Sequence, residues 1–243
     1  MAPSSRLTLN AGQWDLLSNL IGCFDKYVDD SRIKQFVKEQ NNLPVKIRYK
    51  FSTTKDFFTS TKAQVQLVSE TNPYALSLCS RDRSLLLQKT VKHVTGLGGM
   101  FVLRKYQLFN HASFYNSAEM IFRPNAAAFT RRVINQLDSD EVFIKLVMAI
   151  LSFSTFNYTI YEQSSLGNFV DLKFILFIQD VYTEITWRYL VYRYNYDEAV
   201  QRFCNVIRCL FLVNNAVVEA QDSQPFTDMI ETVIKQTEKI SMK

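Results

Sequence analysis

The residues in this chain that could do chemistry are few, and their spacing argues against the making and breaking of bonds. Two histidines, His93 and His111, accompany four cysteines, Cys23, Cys79, Cys204 and Cys209. No two cysteines form a CxxC pair and neither histidine is placed to complete a zinc set, so no metal site and no metal-activated water is expected. HExxH, a GxSxG elbow, a phosphate-cradling glycine loop and an adjacent nucleophile–base set are all missing. The acids Asp138, Asp140 and Glu141 stand where helix-start electrostatics explain them. His111 reads as a surface or hydrogen-bonding residue. The chain is therefore read as a non-enzyme with no catalytic residues and no cofactor. A helical face carrying Phe57, Phe58, Thr61, Val65 and Val68 combines rings with a hydroxyl. In a generic bundle these are core and boundary residues.

The elements that must position such a face follow from composition. The chain has 243 residues, 47% of them apolar, with 19 Phe and 12 Tyr but only 6 Gly and 5 Pro. That balance supplies a sizeable core and favours a mainly helical domain. The net charge of +5 is dispersed; Arg131-Arg132 is only a pair, so no nucleic-acid arm is read. The thiols read as small core residues of a reducing compartment. No signal-peptide pattern opens the chain, and the apolar run from Val142 to Phe153 is too short to cross a bilayer. A soluble intracellular protein without a membrane segment is expected.

In chain order, a loose lead-in over Met1 to Leu9 precedes a helix opened by a capping box of Asn10 and Gln13, with Trp14, Leu17, Leu20, Phe24 and Val28 on one stripe. Asn41 to Thr54 alternates briefly through Val45, Ile47, Tyr49 and Phe51, as an extended segment or an ordered connection. The Phe57–Val68 face ends before Pro73. Ser80 then caps a helix with Asp82 in its first turn and a run of leucines, Thr90, Val91, Val94 and Leu97 behind it; it starts polar and turns apolar, the pattern of a buried central helix. Gly96, Gly98 and Gly99 either end that helix or leave space for a ligand. Met100 to Phe122 alternates in places. Asn125 to Leu137 is a short helix, and Asp138 with Glu141 caps the next. Asn157 to Asn168 reads as a linker, with Tyr158, Ile160 and Tyr161 folded back on the body. A long helix spans Phe169 to Tyr192, and Asn195 with Glu198 caps another that runs through Val217. After a short loop, Gln221 to Gln224, residues Phe226, Met229, Ile230, Val233 and Ile234 share one face.

Leu78, Ser80, Asp82, Arg83, Leu86, Leu87 and Gln88 keep the spacing of the signature of nuclear-receptor ligand-binding domains, which the chain resembles from its first helix to Ala220. Leu7-Thr8, Lys26-Tyr27 and Ile178-Gln179-Asp180 resemble the vitamin D, farnesoid and xenobiotic receptor branch. The resemblance implies one all-α domain over residues 1–243, a three-layer antiparallel helical sandwich with a small β-hairpin inside Met100–Phe122. It implies a nuclear transcriptional regulator that takes a small hydrophobic ligand through Phe57, Phe58, Thr61, Val65, Thr95, Gly98 and Ala220. Coregulators would meet Glu70, Gln88, Asp228, Met229 and Ile230, and dimerisation would use Trp187, Arg202, Phe203, Leu210 and Asn214. The implied partner is a retinoid X-type receptor, with a homodimer left open; direct nucleic-acid binding is not expected of this domain. Several positions depart from the pattern. The family's clamp lysine is Glu70, and with Asp228 two acids replace a positive–negative pair, so weak binding of leucine-rich coactivator peptides is expected. Gly98 stands for a ligand-gripping arginine, and Asn214 for an interface arginine. The 221–224 loop is short for an activation helix, which leaves a plain packing helix as the alternative. The competing function is a ligand-independent heterodimerisation module whose pocket is filled by aromatic side chains.

Overall fold

Asn10, Asp29, Asn72, Asp140, Asp171 and Asn195 each stand just before a helix, and their side chains meet the free N–H groups of its first turn. The structure, a computed structural model, describes residues 8–155 and 168–241. The lead-in over 1–7 and the linker over 157–167, with Tyr158, Ile160 and Tyr161, lie outside the described residues. Helix α1 (Ala11–Tyr27) carries the expected capping box: Asn10 accepts from the Gln13 N–H at 2.9 Å, and Gln13 returns the bond at 3.1 Å. Leu9, expected in the loose lead-in, is buried against the core. Helix α2 (Asp30–Asn42), capped by Asp29, was not expected, because only Ile33, Phe36 and Val37 mark its inner face in a charged stretch. The segment after it is not extended; it forms one 3-10 turn at Val45–Ile47. Tyr49 then takes a left-handed conformation, φ 48°, with its ring buried.

Helices α3 (Phe51–Glu70) and α4 (Pro73–Ser77) lead into α5 (Ser80–Lys105). The cap of α5 is Cys79, not Ser80, and the helix does not stop at the glycines. It runs through all three because the neighbouring helices hold it: between Thr90 and Leu103 only Lys92 and Gly96 are not fully buried. Burial on that scale outweighs the roughly 1 kcal/mol that each glycine costs a helix.

The expected β-hairpin is absent: Met100 to Lys105 belongs to α5, Leu108–Asn110 is a 3-10 turn, and α6 (Ala112–Phe122) follows. Phe114, Ala118 and Ile121, spaced four and three residues apart, are all completely buried, so helical rather than alternate-residue periodicity fits the core. Among the described residues there is no strand, and the fold is all-α.

Arg123, at φ 74°, makes the sharp turn into α7 (Pro124–Gln136), whose first residue is a proline. Asp140, two residues later than the expected Asp138, caps α8 (Glu141–Ser152) through the Val142 and Phe143 N–H groups, at 2.9 and 3.0 Å. Asp171 caps α9 (Leu172–Arg193), and Asn195 caps α10 (Tyr196–Gln221) with the predicted bond from Glu198, at 2.8 Å. Helix α11 (Gln224–Ser241) ends the described chain.

Helix α5 organises the packing: it touches α3, α7, α8, α10 and α11, while α3 also meets α1, α6 and α11. Its first turn holds more than a favourable dipole charge. The buried Asp82 carboxylate accepts from the N–H groups of Val170 and Asp171, at 2.8 and 2.9 Å, and so fixes the entry to α9. Asn72 does the same for the middle of α9 by donating to the Tyr182 hydroxyl at 2.6 Å.

Candidate functional site

Helices α3, α5, α6, α7, α10 and α11 line a partly open void of about 50 Å³ beneath α11. A site for a hormone-sized molecule needs roughly 300–1,000 Å³. The shortfall has a visible cause. The Phe58 ring meets Phe122 edge-on at 4.7 Å between centroids, and Phe122 meets Phe226 at 5.9 Å, so aromatic rings occupy the interior.

The residues singled out for ligand contact divide. Phe58 and Ala220 line this void, as do Gly96 and Gly99. Gly98 does not: a Cβ there would lie 2.6 and 2.8 Å from the two methyls of Val65 and 3.1 Å from the Met148 sulfur. Gly98 and Val65 are thus the close crossing of α5 over α3, not empty space. Phe57 and Thr61 point elsewhere and, with Ile33 and Phe36, line a separate cleft of about 250 Å³ between α2 and α3. Thr95 is fully buried and donates to the Val91 carbonyl at 2.6 Å.

Sequence reasoning missed the residue that gives the void its chemistry. Lys62 lies on the apolar face of α3, four residues after Phe58 and three before Val65, and is only 5% exposed. Its ammonium donates to the Thr95 hydroxyl at 3.3 Å and sits 5.6 Å from the centre of the Phe226 ring. Among the described residues no acidic side chain lines the void, and burial pushes the Lys62 amine down to about 8. The available signal was a lysine at helical spacing inside an aromatic stripe, a pattern that solvated surface lysines share.

The short connection after α10 does not hold α11 away. Ser223 donates to the Ile121 carbonyl, Arg123 pairs with Asp222 at 3.1 Å, and α11 turns back over α3 and α5. Phe226, Ile230 and Val233 then pack on Leu87, Val91 and Ala220, while Met229 joins the main core. Met229 and Ile230 are therefore interior. Of the other expected coregulator contacts, Glu70 accepts from Gln66 at 3.0 Å, and Gln88 is exposed on α5. Asp228 is exposed on α11, with Lys55 at 3.8 Å.

On α10 the residues expected at a dimer face are mostly occupied within the chain. Arg202 grips Asp138 with two bonds, of 2.6 and 2.8 Å, bonds Glu198, and lies over the Tyr194 ring. Asn214 meets His93 at 3.3 Å, Leu210 packs on the core, and Phe203 sits edge-on to Trp187. The outward apolar residues are instead Tyr196, Val200, Ile207 and Phe211, with Phe211 68% exposed. Together with the exposed Cys204 they recur at intervals of four, four, three and four residues, the repeat of a helix–helix seam. Among the described residues α10 is the one helix long and apolar enough to cross a bilayer, yet its inner face is bound to α5, α7 and α9.

Among the described residues no three His, Cys, Asp or Glu side chains converge on a metal position. Comparison of the whole chain with protein-family models and with curated proteins finds no match to either.

Proposed function

We propose that this chain is a nuclear-receptor-type regulator domain that acts by dimerisation, with its interior closed by its own side chains. The observation that carries this reading is the void of about 50 Å³ under a fully seated α11. In a ligand-responsive receptor domain the guest's apolar surface holds the terminal helix in place. Here Phe226, Ile230 and Val233 are buried on Leu87, Val91 and Ala220, and Met229 in the main core, so side chains of the domain itself seat α11. In this reading α5, which touches α3, α8 and α10, would be the middle layer, and α9, which packs on α8 and α10, would belong to an outer one. The tie from Asp82 to the start of α9 gives the signature acid a structural role in that arrangement.

The output surface in this reading is α10. Its inner face is anchored to α7 and α5, and its outer stripe from Tyr196 to Phe211 leaves apolar side chains exposed, Phe211 most of all, although Tyr196 also meets Trp187 edge-on. A stripe of that period is covered best by a matching helix, and a retinoid X-type receptor is the partner that the resemblance to the receptor family suggests. The domain would then work in the nucleus, without enzymatic activity, and would contribute no DNA contacts of its own.

Light scattering during size exclusion, with and without a retinoid X-type ligand-binding domain, tests the proposal. The expected result is a one-to-one complex that dissociates in the Ile207→Asp and Phe211→Asp variants while their melting temperatures hold. A monomer in both samples refutes it.

A further inference from the structure

We infer that the void beneath α11 is a binding site for the carboxylate of a small organic acid, with the Lys62 ammonium as its anchor and Phe58, Phe122 and Phe226 as its apolar contact. The inference stands on the void and on Lys62, and does not depend on the receptor reading.

An ammonium has three N–H donors and no acceptor. Lys62 gives one to Thr95, whose own hydroxyl proton is used on the Val91 carbonyl. The Phe226 ring face offers a second, weaker contact at 5.6 Å. Among the described residues no carboxylate lines the void. A buried charge normally has an ion partner and filled hydrogen-bond directions, because desolvation costs several kcal/mol per ion. Lys62 has neither, and its remaining donors face an apolar enclosure. A cation is repelled there, and a neutral molecule leaves the ammonium uncompensated. An anion with a small apolar body satisfies both features of the wall. The volume, about 50 Å³, admits the carboxylate head, and the pocket is open on one side, where the chain would leave. Because Phe226 belongs to α11, an acid that takes over the Lys62 charge also replaces one of the contacts that hold α11 to α3.

Two sources share this chemistry: a free short-chain acid, or the head of a longer fatty acid whose tail leaves through the mouth of the void. Heat denaturation of the full chain in sodium butyrate or sodium octanoate, balanced for ionic strength with sodium chloride, separates them; 1-butanol is the neutral control. Expected is a saturable rise in melting temperature with butyrate, absent with 1-butanol, and altered amide-exchange protection in α11. Lys62→Met is expected to melt at or above the wild-type temperature and to bind butyrate at least tenfold more weakly. Octanoate binding at least tenfold tighter than butyrate assigns a fatty-acid head, and equal binding assigns a free short acid. Cross-relaxation between labelled butyrate and the Phe122 and Phe226 ring protons of the wild-type protein decides the matter even if the variant fails to fold. No saturable response to either acid, an equal response to 1-butanol or to chloride, or an unchanged response in a folded Lys62→Met protein would overturn the inference.

Discussion

Two adjacent glycines of α5 are predicted to respond in opposite directions to the same added methyl group. In Gly98→Ala the new Cβ falls 2.6 and 2.8 Å from the γ carbons of Val65 and 3.1 Å from the Met148 sulfur. The methionine can move, but a helical valine has one strongly preferred rotamer, so α3 and α5 must separate. Overpacking of this kind costs about 1–3 kcal/mol, set against a gain of about 1 kcal/mol in helix propensity. The expected balance is a loss of up to about 2 kcal/mol. In Gly99→Ala the added carbon has no atom within 4 Å, because it enters the void. Only the propensity gain applies, so a rise in stability of about 1 kcal/mol is expected. Urea denaturation followed by circular dichroism measures both changes. In thermal scans the two variants should differ by about 2–12 °C, given about 2–4 °C per kcal/mol for a chain of this size. Val65→Ala should rescue Gly98→Ala beyond the sum of the single effects, since the two residues share one contact. Equal stability of the two alanine variants would refute the close crossing and, with it, the claim that Gly98 is packing and not ligand space.

Three further outcomes follow from the same contacts. The Lys62 amine falls from its ordinary 10.5 to about 8 on folding, so between those values the unfolded chain binds more protons. Stability should therefore rise with pH across that window by on the order of 3 kcal/mol relative to Lys62→Met, and parallel pH profiles for the two proteins would sink the assignment. Asp82→Ala should cost about 2–3 kcal/mol in urea denaturation and speed amide exchange at Val170 and Asp171, which lose a charged acceptor; Asp82→Asn should cost less. A labelled leucine-rich coactivator peptide should show no saturable binding in a fluorescence titration through the low-micromolar range. Tight binding that is lost on Glu70→Lys would reverse that expectation.

Local signals served the termini of helices well. Asn10 with Gln13 and Asn195 with Glu198 marked α1 and α10 because a capping side chain acts within three residues of itself. They failed where neighbouring acids compete: Asp138 and Asp140 are both good caps, and only the structure shows that Asp140 takes the role while Asp138 receives Arg202. The glycines of α5 misled for a related reason. Propensity says that they weaken a helix, but three to five surrounding helices stabilise it more than the glycines weaken it. The candidate site was half legible. Phe58 and Ala220 were found on the void, whereas Phe57 and Thr61, on the same stripe, face a different cleft. One helical turn spreads its side chains over a wide arc, and sequence alone does not say which helix covers which part of it.

By itself the sequence determined the helical class, the centrality of the Ser80–Leu97 segment and the starts of α1 and α10, because composition, periodicity and caps act over a few residues. Tertiary structure alone decided that Gly98 is a crossing point, that Lys62 is buried, that Arg202 and Asn214 are occupied within the chain, and that Phe211 is not. Those outcomes depend on which helix faces meet, through contacts such as Lys62–Thr95 and His93–Asn214 that join residues 33 and 121 positions apart. No local propensity encodes a pairing over that distance; the packing of the whole core selects it.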